Sequence, residues 1–252
     1  MRLKDKVAVI TGGGLGIGKA YARGYAAEGA KVVAADINYA AAEELVGSLK
    51  EEGYEALAVE TDVSKVKDTE EMAARALDRF GRIDILVNNA ASFQRPAANR
   101  APVWEMDPDE WERVIKVNLT GTFLCCRAVL PSMIKQRSGK IINIASVLAL
   151  VGAANFTHYS TSKGGVITFT RALAREVGEY NINVNVICPG FTLSREPEDI
   201  SERDRQWEVS DRILKRPEYP EDLVGAAIYL ASSESDFITG QSLVVDGGVI
   251  LD

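Results

Sequence analysis

The chain has 252 residues, 46% of them hydrophobic and 26% charged, with a formal charge of −7 at pH 7. This is the composition of an ordinary globular protein, and it excludes disordered, collagen-like and disulfide-scaffold classes. The acidic balance, without any block of five like charges, speaks against a nucleic-acid partner; no apolar run approaches the ~20 residues of a membrane helix; residues 1–6 do not open a secretory signal. The expectation is a cytoplasmic protein with neither nucleic acid nor membrane as partner.

Residues 6–11 form the first predicted strand, which runs into the turn Thr11-Gly12-Gly13-Gly14-Leu15-Gly16-Ile17-Gly18 and a helix over 17–28. Strand 31–37 carries Asp36 near its end and leads to a helix over 39–52. Strand 56–60 precedes Asp62, Val63 and a helix over 67–80, and strand 83–88 ends in Asn88-Asn89-Ala90. A long helix over 108–136 starts behind Asp107, a capping residue followed by proline in the first turn. Strand 140–146 ends at Ser146, a helix over 159–179 opens on Tyr159, and strand 182–188 leads to Pro189 and Gly190. A helix over 220–231 and a strand over 243–246 complete the chain. Gly29, Gly53 and Gly81 follow helices where a left-handed residue is wanted.

Continuous apolar runs such as VAVI and IDILV suit strands covered on both faces. Seven such strands alternating with helices, without repeat or linker, predict a single α/β domain over 1–252, a doubly wound, Rossmann-like parallel sheet flanked by helices. Residues 195–205 hold eight charged residues in eleven, so 191–220 reads either as a solvated helical face or as a mobile cap over the carboxyl edge of the sheet. The three cysteines, Cys125, Cys126 and Cys188, are an odd number with no CxxC and read as small packing residues in a reducing compartment. With His158 the only histidine, no metal site is expected.

A glycine-rich strand-to-helix turn lets backbone N–H groups and a helix N-terminus approach a diphosphate. The spacing here fits T-G-x-x-x-G-x-G rather than G-x-G-x-x-G, and it nominates Gly12, Leu15, Gly16, Ile17 and Gly18 as cofactor contacts. Asp36, eighteen residues beyond Gly18, suits the two ribose hydroxyls of an adenosine and repels a 2′-phosphate. No basic residue stands at Leu15 or Ile37 to offset it, so NAD is expected rather than NADP. Asp36 could instead cap the next helix, a role equally open to Asn38. Asp62 and Val63 could hold an adenine edge and face, and Asn89 and Ala90 end a strand on the same sheet edge, although loop polarity explains each as well.

For proton transfer the candidates are Tyr159 and Lys163, whose i,i+4 spacing puts phenol and ammonium on one helix face, with Ser146 at a strand end. A cation that lowers the phenol's pKa makes tyrosine a usable acid/base. Together, TGGGLGIG at 11–18, Asp36, DV at 62–63, NNA at 88–90, VNLTG from Val117, IINIAS ending at Ser146, YSTSK at 159–163, CPG at 188–190 and VDGG from Val245 resemble the short-chain dehydrogenase/reductase family from end to end. The resemblance implies an Asn118, Ser146, Tyr159, Lys163 tetrad. In it Ser146 bonds the substrate oxygen and Tyr159 exchanges the proton; Lys163 lowers the phenol's pKa and holds the nicotinamide ribose, and Asn118 anchors a water. It also implies cofactor contacts from Pro189, Gly190, Phe191 and Ser194. Two positions depart from the family: Ala91 stands where glycine is usual, and Ser194 where threonine is common.

Side chains expected near the tetrad are Ser92, Phe93, Gln94, Arg95, residues 147–150, Phe156, Phe191 and Trp207. They suggest a largely apolar pocket for a small-molecule secondary alcohol or ketone, cyclic or aromatic, with Arg95 either meeting an anionic group or simply solvated. A 3-oxoacyl thioester or a sugar is the alternative substrate, and a non-catalytic NAD-binding regulator the alternative class. The family resemblance implies a homotetramer or homodimer, and the apolar residues Val249 to Leu251 agree with it.

Overall fold

Val7 and Val9 pack on one side of the first strand and Ala8 and Ile10 on the other, and all four are buried. That is why the run VAVI shows no alternation: a strand with helices over both faces has no wet side. A computed structural model describes residues 1–93, 100–194 and 212–251. Its strands are β1 (Val7–Thr11), β2 (Lys31–Asp36), β3 (Ala56–Glu60), β4 (Ile85–Asn88), β5 (Gly139–Ile144), β6 (Ile182–Pro189) and β7 (Ser242–Val245). They form one all-parallel sheet in the order β3-β2-β1-β4-β5-β6-β7. The order reverses between β1 and β4, which opens a crevice at their carboxyl ends where ligands bind in such sheets.

Helices α1 (Gly16–Ala27), α2 (Tyr39–Glu51) and α8 (Pro220–Ala231) cover one face, burying Tyr21, Tyr25, Leu45, Leu49, Leu223 and Ala227 against Ile10, Val32 and Ala34. Helices α3 (Val66–Phe80), α5 (Gly121–Gln136) and α7 (Thr157–Val177) cover the other, with Met72, Cys125, Val129, Met133 and Leu173 against Val9, Val33 and Leu86. Each fully buried aliphatic contributes about 1.5–3 kcal/mol. Cys125, Cys126 and Cys188 are free and buried, as expected of packing residues. Asp107 caps α4 (Pro108–Ile115) by accepting from the Asp109 N–H at 3.0 Å. Gly29, Gly53 and Gly81 take φ of 87°, 88° and 77° at helix ends.

Three expectations change. The stretch 108–136 is not one α-helix: a π-helical turn, Lys116–Thr120, separates α4 from α5. The Thr122 hydroxyl of α5 donates to the Asn118 carbonyl in this turn at 2.8 Å, while the Asn118 side chain reaches across to the loop after β4; single π-turns of this kind are frequent at functional sites. The same stretch holds an 18-residue window of mean hydropathy 1.3, long and apolar enough by composition to cross a membrane, so apolar length alone does not separate it from a spanning helix. In the fold its apolar residues Cys125, Cys126, Val129 and Met133 lie in the core against the sheet. Finally, β5 ends two residues before Ser146 and a short helix α6 (Leu148–Val151) follows. Of the expected cap, residues 195–211 lie outside the described residues, as do Gln94 and Arg95. On the described stem that follows it, buried Arg212 donates to the Phe191 carbonyl at 2.6 Å and stands 3.6 Å from buried Glu218.

Candidate active site

The glycine turn is held from behind. Asn89 Nδ2 donates to the Thr11 and Gly12 carbonyls, both at 3.1 Å, and the Thr11 hydroxyl accepts from the Asn89 and Ala90 N–H groups at 3.1 Å. Asn89 therefore clamps the turn to the end of β4 rather than extending its amide outward. A Cβ on Gly18 would lie 1.9 Å from the Gly12 carbonyl oxygen, so close packing within the turn demands glycine there. Gly16 has φ +52°, and a Cβ on it would sit 3.2 Å from Ser194; the loop after β6 thus comes down onto the turn.

These residues suit a dinucleotide on two counts. Helix α1 starts at Gly16 behind an extended Leu15, with no side-chain cap and no acidic residue in its first turn, so its first N–H groups and positive end are uncommitted to side chains. The buried Asp36 carboxylate accepts from the Gly14 and Asn38 N–H groups, each at 2.9 Å, leaving lone pairs on both oxygens for hydroxyl donors. The cap of α2 is Asn38, whose Oδ1 accepts from the Ala41 N–H, so Asp36 is not needed for that. Asp62 is more committed: one oxygen accepts from the Ser64 N–H and hydroxyl and the other pairs with Lys65 at 3.2 Å. Burial would raise its pKa, but these partners outweigh it and hold the carboxyl below its ordinary value. Val63 is a core residue against which Gly121 of α5 packs.

At the carboxyl end of β5 and the first turns of α7 the four tetrad residues come together. Ser146 is buried two residues beyond the strand, its hydroxyl accepting from the Leu148 N–H at 3.2 Å and lying close enough to the Tyr159 phenol to lower its pKa against burial. Lys163 is buried one turn beyond Tyr159, and its ammonium donates to the Ile144 carbonyl at 2.7 Å. Phe93 and Phe156 meet the Tyr159 ring edge-on, with centroids at 5.1 and 6.2 Å, and these rings form the apolar wall expected of the pocket. Asn118 does not bond within its own helix turn: its Oδ1 accepts from the Ser92 N–H at 2.7 Å and its Nδ2 donates to the Ser162 hydroxyl at 3.0 Å.

Burial dominates both titrating groups: it pushes the Tyr159 phenol up to about 12, against the lowering influence of Ser146, and the Lys163 ammonium down to about 8. The Lys163 ammonium donates to the Ile144 carbonyl, and burial outweighs every influence that lowers the phenol. The environment drives the two groups apart, and the pair is set with the proton on tyrosine, the arrangement of a general acid. Because the folded protein binds the Lys163 proton less tightly than the unfolded chain, this group's contribution to stability is fully present above about pH 10.5 and lost as pH falls through about 8. Unfolding by denaturant should therefore show wild type gaining about 2 kcal/mol relative to Lys163→Met between pH 8 and 10. Parallel pH curves for the two proteins would refute the burial argument.

Sequence reasoning missed the cluster beside the tetrad: Glu110 and Arg113 on α4, with His158 next to Tyr159. Arg113 forks onto both Glu110 oxygens at 2.8 and 2.6 Å and also donates to the Ser92 hydroxyl. His158 Nε2 stands 3.9 Å from Glu110. The only signal in sequence was the i,i+3 spacing of Glu110 and Arg113, which on a helix usually marks a solvated pair.

A doubly wound sheet with a glycine cradle at its switch point and a serine-tyrosine-lysine centre on the same edge defines a dinucleotide-dependent oxidoreductase. A family model described as short chain dehydrogenase matches residues 6–205. The chain is 39% identical over 256 residues to the 3-oxoacyl-[acyl-carrier-protein] reductase FabG of Thermotoga maritima, with 100% of both chains covered. It is 39% identical over 255 residues to a 3-oxoacyl-[acyl-carrier-protein] reductase of Synechocystis, covering 99% of this chain and 98% of that one. It is also 38% identical over 248 residues to the (2S)-[(R)-hydroxy(phenyl)methyl]succinyl-CoA dehydrogenase subunit BbsD of Thauera aromatica, covering 98% of each. The chain belongs to the short-chain dehydrogenase family. It is an oxidoreductase of that family, acting between a hydroxyl and a keto group with a nicotinamide cofactor.

Proposed function

We propose that the protein is an NAD(H)-dependent oxidoreductase that interconverts a hydroxyacyl and an oxoacyl thioester, with Tyr159 as general acid/base. The observation that carries the chemistry is the Ser146–Tyr159 hydroxyl pair at the sheet edge, with Lys163 one turn further along α7. The relatives named above act on acyl thioesters of two different carriers, and this supports a thioester over the free alcohol or ketone of modest size that the pocket residues alone suggest. Two hydroxyl donors fixed in a buried site stabilise the charge that develops on a carbonyl oxygen more than they stabilise the neutral carbonyl. Tyr159 supplies the proton to that oxygen during reduction and takes it back during oxidation; Ser146 holds the oxygen in line. The Gly16 end of α1 and the Asp36 carboxylate hold the cofactor, which when bound supplies or accepts the hydride.

The direct test is consumption of NADH with acetoacetyl-CoA beside ethyl acetoacetate and a panel of simple ketones, repeated with NADPH. Turnover of the simple ketones alone would overturn the thioester assignment. The preference for NAD rests on Asp36, with exposed Leu15 and Ile37 offering no cation at the turn or after the acid. Asp36→Ala combined with Ile37→Arg should move the NADH:NADPH ratio of kcat/KM by at least about tenfold toward NADPH, a change of ~1.4 kcal/mol. If wild type already favours NADPH, the assignment to NAD fails.

A further inference from the structure

Three elements meet beside Tyr159, and one charged side chain ties them together. Arg113 on α4 uses Nε and Nη2 for a two-pronged bond to Glu110, which fixes the guanidinium plane. Its remaining nitrogen, Nη1, donates to the hydroxyl of Ser92 on the loop after β4. The Ser92 backbone in turn grips both ends of the Asn118 amide, N–H to Oδ1 at 2.7 Å and carbonyl to Nδ2 at 3.4 Å. Asn118 Nδ2 reaches the Ser162 hydroxyl at 3.0 Å, and that hydroxyl donates to the Tyr159 carbonyl at 2.7 Å. A polar chain thus runs from Arg113 to the backbone of the residue that carries the proton. Glu110 closes the brace from the other side, 3.9 Å from buried His158, the residue immediately before Tyr159.

The same loop sets the wall of the pocket. Phe93 follows Ser92 and stands edge-on to the Tyr159 ring, so a Ser92 released from Arg113 frees both the ring that borders the phenol and the amide behind it. None of these bonds touches the glycine turn or Asp36.

We propose that Arg113, oriented by Glu110, is a positioning residue for the reaction: it fixes Ser92, and through Ser92 it holds Asn118 and the Tyr159 end of α7 in register. The inference rests on Tyr159 being the acid/base. Its consequence is a split between turnover and cofactor binding, because an error on the order of 1 Å in a reacting group costs up to about 100-fold in rate, whereas the dinucleotide cradle is left as it was.

The test compares wild type, Arg113→Met, Arg113→Lys, Ser92→Ala and the Arg113→Met/Ser92→Ala double variant, with Arg127→Met as a control at an exposed pair with Glu70. For each, kcat and KM are measured with NADH and acetoacetyl-CoA, NADH affinity by fluorescence, and the unfolding midpoint by heating. Arg113→Met should lose roughly 10- to 100-fold in kcat while NADH affinity stays within about twofold. Ser92→Ala should lose a comparable amount, the double variant no more than the worse single one, and Arg113→Lys should recover part of the rate, because residues acting in one line are not additive. An unchanged kcat in Ser92→Ala, fully additive losses, or a parallel loss of NADH affinity in every variant would overturn the proposal. Wild type that binds NADH but turns over no thioester would refute the substrate assignment instead, and the same variants would then be compared on whichever carbonyl compound it reduces.

Discussion

Tyr159→Phe is expected to lower kcat by about 10²- to 10⁴-fold, the range that a positioned acid/base contributes, while leaving NADH affinity within a factor of about three. The substitution removes one oxygen from a ring that Phe93 and Phe156 continue to pack against, so the wall of the site keeps its shape. The missing oxygen is the one that Ser146 faces, and His158, its neighbour in sequence, is turned to Glu110 instead. Stopped-flow measurement of a single turnover isolates the chemical step from release. A variant that binds NADH normally and still reduces substrate at a tenth of the wild-type rate or faster would remove Tyr159 from the mechanism. Loss of NADH binding would show that the cofactor itself needs the hydroxyl, since the ring is still in place.

Gly18→Ala should be the most disruptive single-methyl change in the chain. Its Cβ would be placed 1.9 Å from the Gly12 carbonyl oxygen and 2.7 Å from Asn89 Nδ2. The first contact is with backbone and the second is with the amide that clamps the turn, so relief requires the turn to lift away from β4. Overpacking of this kind costs about 1–3 kcal/mol, and the displaced turn should lose at least about tenfold in NADH affinity, ~1.4 kcal/mol. Gly47→Ala on α2 supplies the matched control: a Cβ there meets nothing within 4 Å, and alanine in an exposed helix interior stabilises by roughly 0.5–1 kcal/mol. Calorimetry with and without NADH separates the stability loss from the binding loss. Equal NADH affinity in Gly18→Ala and wild type would mean that the diphosphate does not sit on this turn.

The strands were legible because burial on both faces leaves a plain mark, an unbroken apolar run, and the helical stretches between them point to crossovers and a parallel sheet; the order in the sheet came from the structure. The tetrad was legible because its members keep local company: Tyr159 and Lys163 on one helix, Ser146 just past a strand. What stayed hidden depends on contacts between distant segments. The π-turn at Lys116–Thr120 has no compositional signature, and the bonds made from it by Asn118 run to Ser92 and Ser162, 26 and 44 residues away. Arg113 carried no signal of its own because its target, Ser92, lies 21 residues away and is brought to it only by the fold. The burial of Tyr159 and Lys163 was hidden for a related reason: spacing shows that two groups are neighbours, but not how deeply both are sunk or that the Lys163 ammonium donates to the Ile144 carbonyl.

The π-turn has a geometric consequence for the rest of its helix. Each residue of a π-turn advances the chain around the axis by less than the ~100° of an α-helix, so the residues beyond it lag behind the phase that an unbroken α-helix would give them. The azimuth of α5 is therefore set at Lys116–Thr120, and it is this phase that turns Cys125, Val129 and Met133 toward the sheet. The amide that serves the reaction and the apolar stripe that anchors the helix are keyed to each other like the teeth of one gear. Forcing Lys116–Thr120 into regular α-helical turns with no residue removed would rotate that stripe off the core, so the irregularity that aims Asn118 is preserved by the packing of a surface more than a full turn away.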